Sequence, residues 1–231
     1  MPSRKKTSMF LAGFLTSVGS FVLVCTSLGT QDWVSSRIAF TELSAGNASG
    51  GYVSLTYGLF EGKSQTIYDS GLGKPESTFQ VLKGASGTGS AEIVHILIIV
   101  LLVAGLFCSL LSSGITCYNS VSNPYQTFFG PIGVYAWNVL NGTFILLALI
   151  LGVVNTDLNK FPERLIKENF KSETTFNQQI NYGYSFWLLL VIIVFNAATI
   201  VIIYFYHHAR YSERREQQRP MENAPKDVIL F

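Results

Sequence analysis

Charge is scarce in this chain of 231 residues. Asp, Glu, Lys and Arg together make up 13% of it, whereas a soluble domain carries about 25%. Long stretches carry no charge at all. That excludes an ordinary water-facing fold, because helices without a charged face leave no surface for solvent. Cysteine is equally sparse. Cys25, Cys108 and Cys117 all lie in or beside apolar runs, so no disulfide can form within the polar segments. No carboxylate, Lys or Arg falls in the middle of any apolar run. Intramembrane ionisable groups mark proton relays and ion pathways, so a pump or charge-coupled transporter is not expected. The chain lacks metal-ligand spacing, a phosphate loop and a nucleophile elbow. No catalytic residue, cofactor, metal or nucleic-acid partner is expected.

What is present is apolar. Hydrophobic residues make up 48% and aromatics 13%. Four segments, 9–28, 93–118, 131–154 and 185–206, each approach or exceed the ~20 apolar residues that cross a bilayer as a helix. A lone segment in lipid satisfies its backbone only as a helix. The first follows Arg4, Lys5 and Lys6. It is longer than the apolar core of a cleaved signal peptide, about 7–15 residues, and reads as a retained span.

Four spans place residues 1–8, 119–130 and 207–231 on one side of the membrane and 29–92 and 155–184 on the other. The first side then carries eight basic residues in its two terminal segments against four acidic ones; the second carries eight basic and ten acidic. Arg4 to Lys6 and the cluster Arg210, Arg214 and Arg215 lie close to span ends. The positive-inside rule therefore sets both termini in the cytoplasm. The Asn47-Ala48-Ser49 sequon agrees, making Asn47 a candidate glycosylation site on the outer side. Arg210, Arg214 and Arg215 are expected to meet lipid headgroups, each contributing about 1 kcal/mol near an anionic leaflet. The tail ends in Ile229-Leu230-Phe231. That hydrophobic-x-hydrophobic ending suits either β-strand addition to a PDZ domain or lipid contact.

The outer segments are not plain linkers. Val53, Leu55 and Tyr57 alternate with Tyr52, Ser54 and Thr56 in GYVSLTY; SRIAFTEL and TFQVLK also read as strands. A small antiparallel β-sheet in the first outer loop is expected. In the second, LNKFPERLIKENF spaces Leu158, Phe161, Leu165 and Phe170 as a short amphipathic helix, with Pro162 in its first turn. Trp33 and the cluster YGYSFW stand at span boundaries, where aromatic rings anchor at the interface. Within the spans, small residues recur four apart at Ala12, Thr16 and Ser20, at Gly105, Ser109 and Ser113, and at Ala148 and Gly152. Such faces let helices approach closely, and Asn138, Asn141 and Asn196 are expected to hydrogen-bond between helices.

The ordered set MPSRKK, Trp33, YGLFEG, Gly71-Leu72-Gly73, NPYQTFFGPIGVYAWN, YSFW and the apolar C-terminus resembles the clarin family. These are small four-span proteins related in layout to claudins, and the resemblance covers nearly the whole chain. It implies a non-enzymatic multi-pass plasma-membrane glycoprotein that organises membrane complexes and is linked to actin-rich structures. Lipid, membrane or cytoskeletal-scaffold proteins including PDZ domains, and further copies of the chain are the implied partners. An auxiliary subunit of a channel or transporter, or a claudin-like cell-contact protein, are alternatives. By the same resemblance Trp33, Gly58, Leu59 and Phe60 fasten the sheet to the bundle, with Leu59 and Phe60 as the plug. Ser70 stands where the family pattern suggests a cysteine, so apolar packing must do that fastening alone.

Overall fold

The computed structural model describes residues 4–44, 47–87, 89–121, 130–170 and 175–217. Four long helices dominate: α1 (Arg4–Gly29), α3 (Ser90–Val121), α4 (Gly130–Val153) and α6 (Tyr184–Gln217). Each is long and apolar enough to cross a membrane. α1 packs between α3 and α6, and α4 closes the ring. Their outward faces carry exposed Leu, Ile, Val and Phe, as helices solvated by lipid require.

The inward faces are polar as well as small. Ser17, Ser20, Ser112, Asn138, Asn141, Asn196 and Thr199 are all buried. Thr16 and Thr199 share a hydroxyl–hydroxyl bond of 2.7 Å between α1 and α6. Ser17 and Ser112 bond at 3.1 Å, and Asn138 Nδ2 donates to Ser112 Oγ at 2.6 Å. Ser20 donates to Asn196 Oδ1 at 3.2 Å, and Asn141 Nδ2 donates to the same oxygen at 3.1 Å. All four helices are thus joined by side-chain hydrogen bonds. Apolar burial gives little drive between helices that could equally face lipid, so such bonds and close packing set the contacts.

Five strands form one antiparallel sheet: β1 (Val34–Ser44), β2 (Asn47–Tyr57), β3 (Glu61–Tyr68), β4 (Ser77–Gln80) and β5 (Thr175–Tyr182), in spatial order β4-β3-β2-β1-β5. Val53, Leu55 and Tyr57 turn to the buried face as their alternation requires. Three features differ from the sequence reading. The sheet is not confined to the segment between α1 and α3, because β5 joins from between α4 and α6 and pairs with β1. Its TFNQQINY has strand formers at both ends but a polar Asn-Gln-Gln run in its middle; pairing along the β1 edge holds it. EGKSQTIY is a strand too, paired on both sides. And the run TFQVLK breaks at Val81, which starts the one-turn helix α2 (Val81–Gly84).

The amphipathic helix forms as α5 (Phe161–Phe170), preceded by a π-helical turn over Val154–Leu158 that ends α4. Phe161, Leu165 and Ile166 are buried. Leu158 is not part of that face; it sits in the π-turn, 76% exposed, and the side chain of Phe170 lies outside the described residues. Lys160, at φ 49°, turns the chain between the two helical pieces.

Candidate functional site

The junction between sheet and bundle gathers most of the residues singled out by sequence. Four residues after α1, Thr30 to Trp33, run through a slot between the β2–β3 turn and the start of α6. Trp33 N–H donates to the Tyr57 carbonyl at 3.1 Å on one side, and Gly183 N–H donates to the Trp33 carbonyl at 2.8 Å on the other. Ser185 N–H donates to the Asp32 carbonyl at 3.2 Å. The walls are glycines because backbone meets backbone there. A Cβ on Gly58 would overlap the Thr30 carbonyl oxygen and stand 2.8 Å from Gln31 Cα; one on Gly183 would overlap the Asp32 carbonyl oxygen. No other residue type permits that approach.

Trp33 lies inside this slot, 4% exposed, and not in an interfacial belt. Its Nε1–H donates to the Ser27 carbonyl at 2.7 Å, which folds the indole back over the end of α1. Phe186 meets it edge-on with ring centres 6.4 Å apart, and Tyr182 lies 4.6 Å from Phe186. The cluster YGYSFW is therefore divided. Phe186 is core, while Tyr184 and Trp187 stay exposed at the boundary.

Leu59 and Phe60 part company. Leu59 is 2% exposed in the core, while Phe60 is 43% exposed. Adjacent residues in the turn point to opposite sides, so only one of the pair can plug the bundle. Tyr57 is the second buried member, with Phe161 edge-on at 5.7 Å. Phe60 is thereby corrected from plug to surface residue. His95 completes the cluster: its Nε2–H donates to the Leu59 carbonyl at 2.9 Å, and its ring stacks on Phe161 at 4.9 Å. His95 drew no role from sequence, because a single His near a span end gives no signal of the carbonyl above it.

A cavity of ≈ 20 Å³ lies here, lined by Tyr57, Leu59, His95, Asn155, Thr156 and Phe161 among others. That is room for one water molecule and too little for an organic ligand. The Tyr57 hydroxyl is buried beside Thr156. Burial pushes its phenol well above the ordinary value. Tyr182 is raised as well, by burial and then by its bond to Asp157, to which its hydroxyl donates at 2.9 Å. Among the described residues, no three His, Cys, Asp or Glu are grouped to hold a metal ion. The arrangement positions backbone and rings; it presents no nucleophile with a base.

The remaining expected sites lie elsewhere. Asn47 begins β2 opposite Ser44, ten residues from Tyr57 and hence on the order of 30 Å from the junction. Arg210, Arg214 and Arg215 fall in the last turns of α6. Ile229 and Phe231 lie outside the described residues.

Four apolar helices capped by one antiparallel sheet define a multi-pass membrane protein. The family profile described as Clarin-2, Clarin-2-like, matches residues 4–203. Human clarin-3 is 47% identical over 231 residues and rat clarin-3 is 49% identical, each match covering all of both chains. Mouse clarin-1 is 29% identical over 198 residues, 82% of this chain and 83% of that one. The chain belongs to the clarin family.

Proposed function

We propose that this chain is a non-catalytic organiser of membrane complexes at the plasma membrane, linked to actin-rich structures, with both termini in the cytoplasm. One observation supports the reading above others: the polar groups inside the bundle bond helix to helix, and the slot around Trp33 ties the sheet to those helices. The chain's chemistry is spent on holding its own shape, as befits a platform for other proteins. Asn47 carries a glycan on the outer side. Arg210, Arg214 and Arg215 hold the start of the tail against anionic headgroups, and Ile229 and Phe231 add a strand to a PDZ domain of a cytoskeletal scaffold.

Proximity labelling in cells that express the protein tests this, comparing the intact chain with one ending before Ile229. Loss of cytoskeletal and PDZ-scaffold neighbours on truncation is the expected result. Enrichment of one channel or transporter in both samples, with no scaffold in either, would replace the organiser by an auxiliary subunit.

A further inference from the structure

The end of the bundle opposite the sheet is charged on one side only. From Ile93 to Thr156 the chain has no Asp, Glu, Lys or Arg, so α3, α4 and the segment between them bring no charge there. α1 and α6 bring six basic residues: Arg4, Lys5, Lys6, Arg210, Arg214 and Arg215. Contacts between these two helices fix their register. Ser20 donates to Asn196 Oδ1 at 3.2 Å, the Thr16 and Thr199 hydroxyls bond at 2.7 Å, and the rings of Phe10 and Tyr206 meet edge-on with centres 4.9 Å apart. The two helices are therefore antiparallel, and each advances ten residues between the first contact and the last. One turn further on, Lys6 stands level with Arg210. The apolar spans stop at that same level, at Thr7 and Ala209. Lys6 and Arg210 are thus like charges facing each other across helices whose axes lie about 8–10 Å apart, close to the screening length of about 8 Å. All six basic positions fall within about 8 Å along the bundle. Glu213 and Glu216 share this stretch of α6 and offset two of the six.

We infer that the ends of α1 and α6 form one shared site for the headgroup of a phosphoinositide, a lipid with several phosphates on a single inositol ring. The register sets like charges level with each other, so the cluster needs a counter-anion that reaches both helices at once. Several phosphates on one ring do that; a lipid with a single charge does not. The ligand is a lipid because the cluster begins at the residues where both apolar spans end, the level at which basic residues meet an anionic leaflet. The one-sided placing marks a particular place on the bundle. A collar spread over every helix end would set orientation equally well. Arg supplies paired N–H donors to phosphate, and Lys a compact charge. The assignment rests on the proposed cytoplasmic termini, with the Arg cluster at headgroup level. It adds that α1 shares the ligand and that the ligand carries several phosphates.

Lipid titration of the full chain in detergent tests this, since membrane sidedness does not enter there. Dioctanoyl phosphatidylinositol bisphosphate, dioctanoyl phosphatidylserine and free inositol trisphosphate are added separately, and the bound species are counted by native mass spectrometry. The bisphosphate lipid should bind at least about tenfold more tightly than phosphatidylserine; equal binding would overturn the site. Lys5→Gln with Lys6→Gln on α1 should weaken the bisphosphate lipid about tenfold, and Arg210→Gln with Arg214→Gln on α6 should do the same, with thermal unfolding of both variants unchanged. The single changes Lys6→Gln and Arg210→Gln should each weaken it by a smaller factor, so one misfolded double variant does not decide the result. An effect of the α6 pair alone would overturn the shared site and leave the tail's headgroup contact standing. No effect of either pair would overturn both. Inositol trisphosphate bound as tightly as the lipid would replace the membrane ligand by a soluble polyphosphate and overturn the assignment. A tag on the N-terminus detected in intact, unpermeabilised cells would show separately that the topology had failed.

Discussion

The junction and the bundle interior solve the same problem in different solvents. At the junction, backbone bonds and rings close over Trp33, Tyr57, Leu59, Phe161 and Phe186, and the water-facing sheet gives apolar burial its usual force. Inside the bundle, the helices gain little by leaving lipid, and hydroxyl and amide pairs choose the neighbours instead. The contrast has a consequence for sensitivity. A loss at the junction removes burial and backbone fit together. A loss in the bundle removes one modest hydrogen bond among several.

Substitutions can break that comparison in order of expected effect. Gly183→Ala and Gly58→Ala should be worst, because the new Cβ meets backbone that cannot turn aside. A cost beyond about 4 kcal/mol is expected, seen as retention in the endoplasmic reticulum and loss of a folded peak in detergent. Leu59→Ala should cost about 3 kcal/mol by opening a cavity in the core, whereas Phe60→Ser should stay within about 0.5 kcal/mol in detergent. Thermal unfolding of the two side by side would show it, and equal losses would restore Phe60 as a plug. Asn141→Ala should cost about 1 kcal/mol. A double-mutant cycle with Asn196→Ala should recover a coupling of similar size, and a larger loss than Leu59→Ala would invert the comparison.

The smallest effect is alkaline. Tyr57 and Tyr182 hold their protons more tightly in the folded chain than in the unfolded one. Their contribution is complete below the unfolded value near 10. It is lost as pH rises from there towards the raised folded values, because the unfolded state ionises first. Tyr57→Phe keeps the buried ring and its edge-on contact with Phe161, so stability at neutral pH should change by no more than about 1 kcal/mol. It should flatten part of the decline above about pH 10, as measured by unfolding at a series of alkaline pH values.

How much could be read before the fold was known differs by kind of residue. Apolar length alone located α1, α3, α4 and α6, since a bilayer offers few alternatives to a helix. Alternation located the buried face of β2. The slot was half legible. Gly58 stood in a motif, but Gly183, its opposite wall, lay in an aromatic cluster that reads just as well as a membrane anchor. Phe60 was misread because two adjacent apolar residues in a turn carry no periodicity to say which points inward. β5 escaped because the polar Asn177-Gln178-Gln179 run interrupts any period-two alternation, and pairing with β1 completes the strand. His95 had no pattern at all.

The sequence by itself determined the solvent of each segment, and with it four helices, a partly buried sheet and amides that had to find one another. Charge absence and period-two alternation are local properties, so they survive without a fold. Only the tertiary structure decided that Trp33 threads between Gly58 and Gly183, that Asn141 meets Asn196, and that Leu59 goes in while Phe60 stays out. Each of those depends on residues tens of positions apart or more. Their partners are chosen by packing and by the reach of a hydrogen bond, which no local pattern encodes.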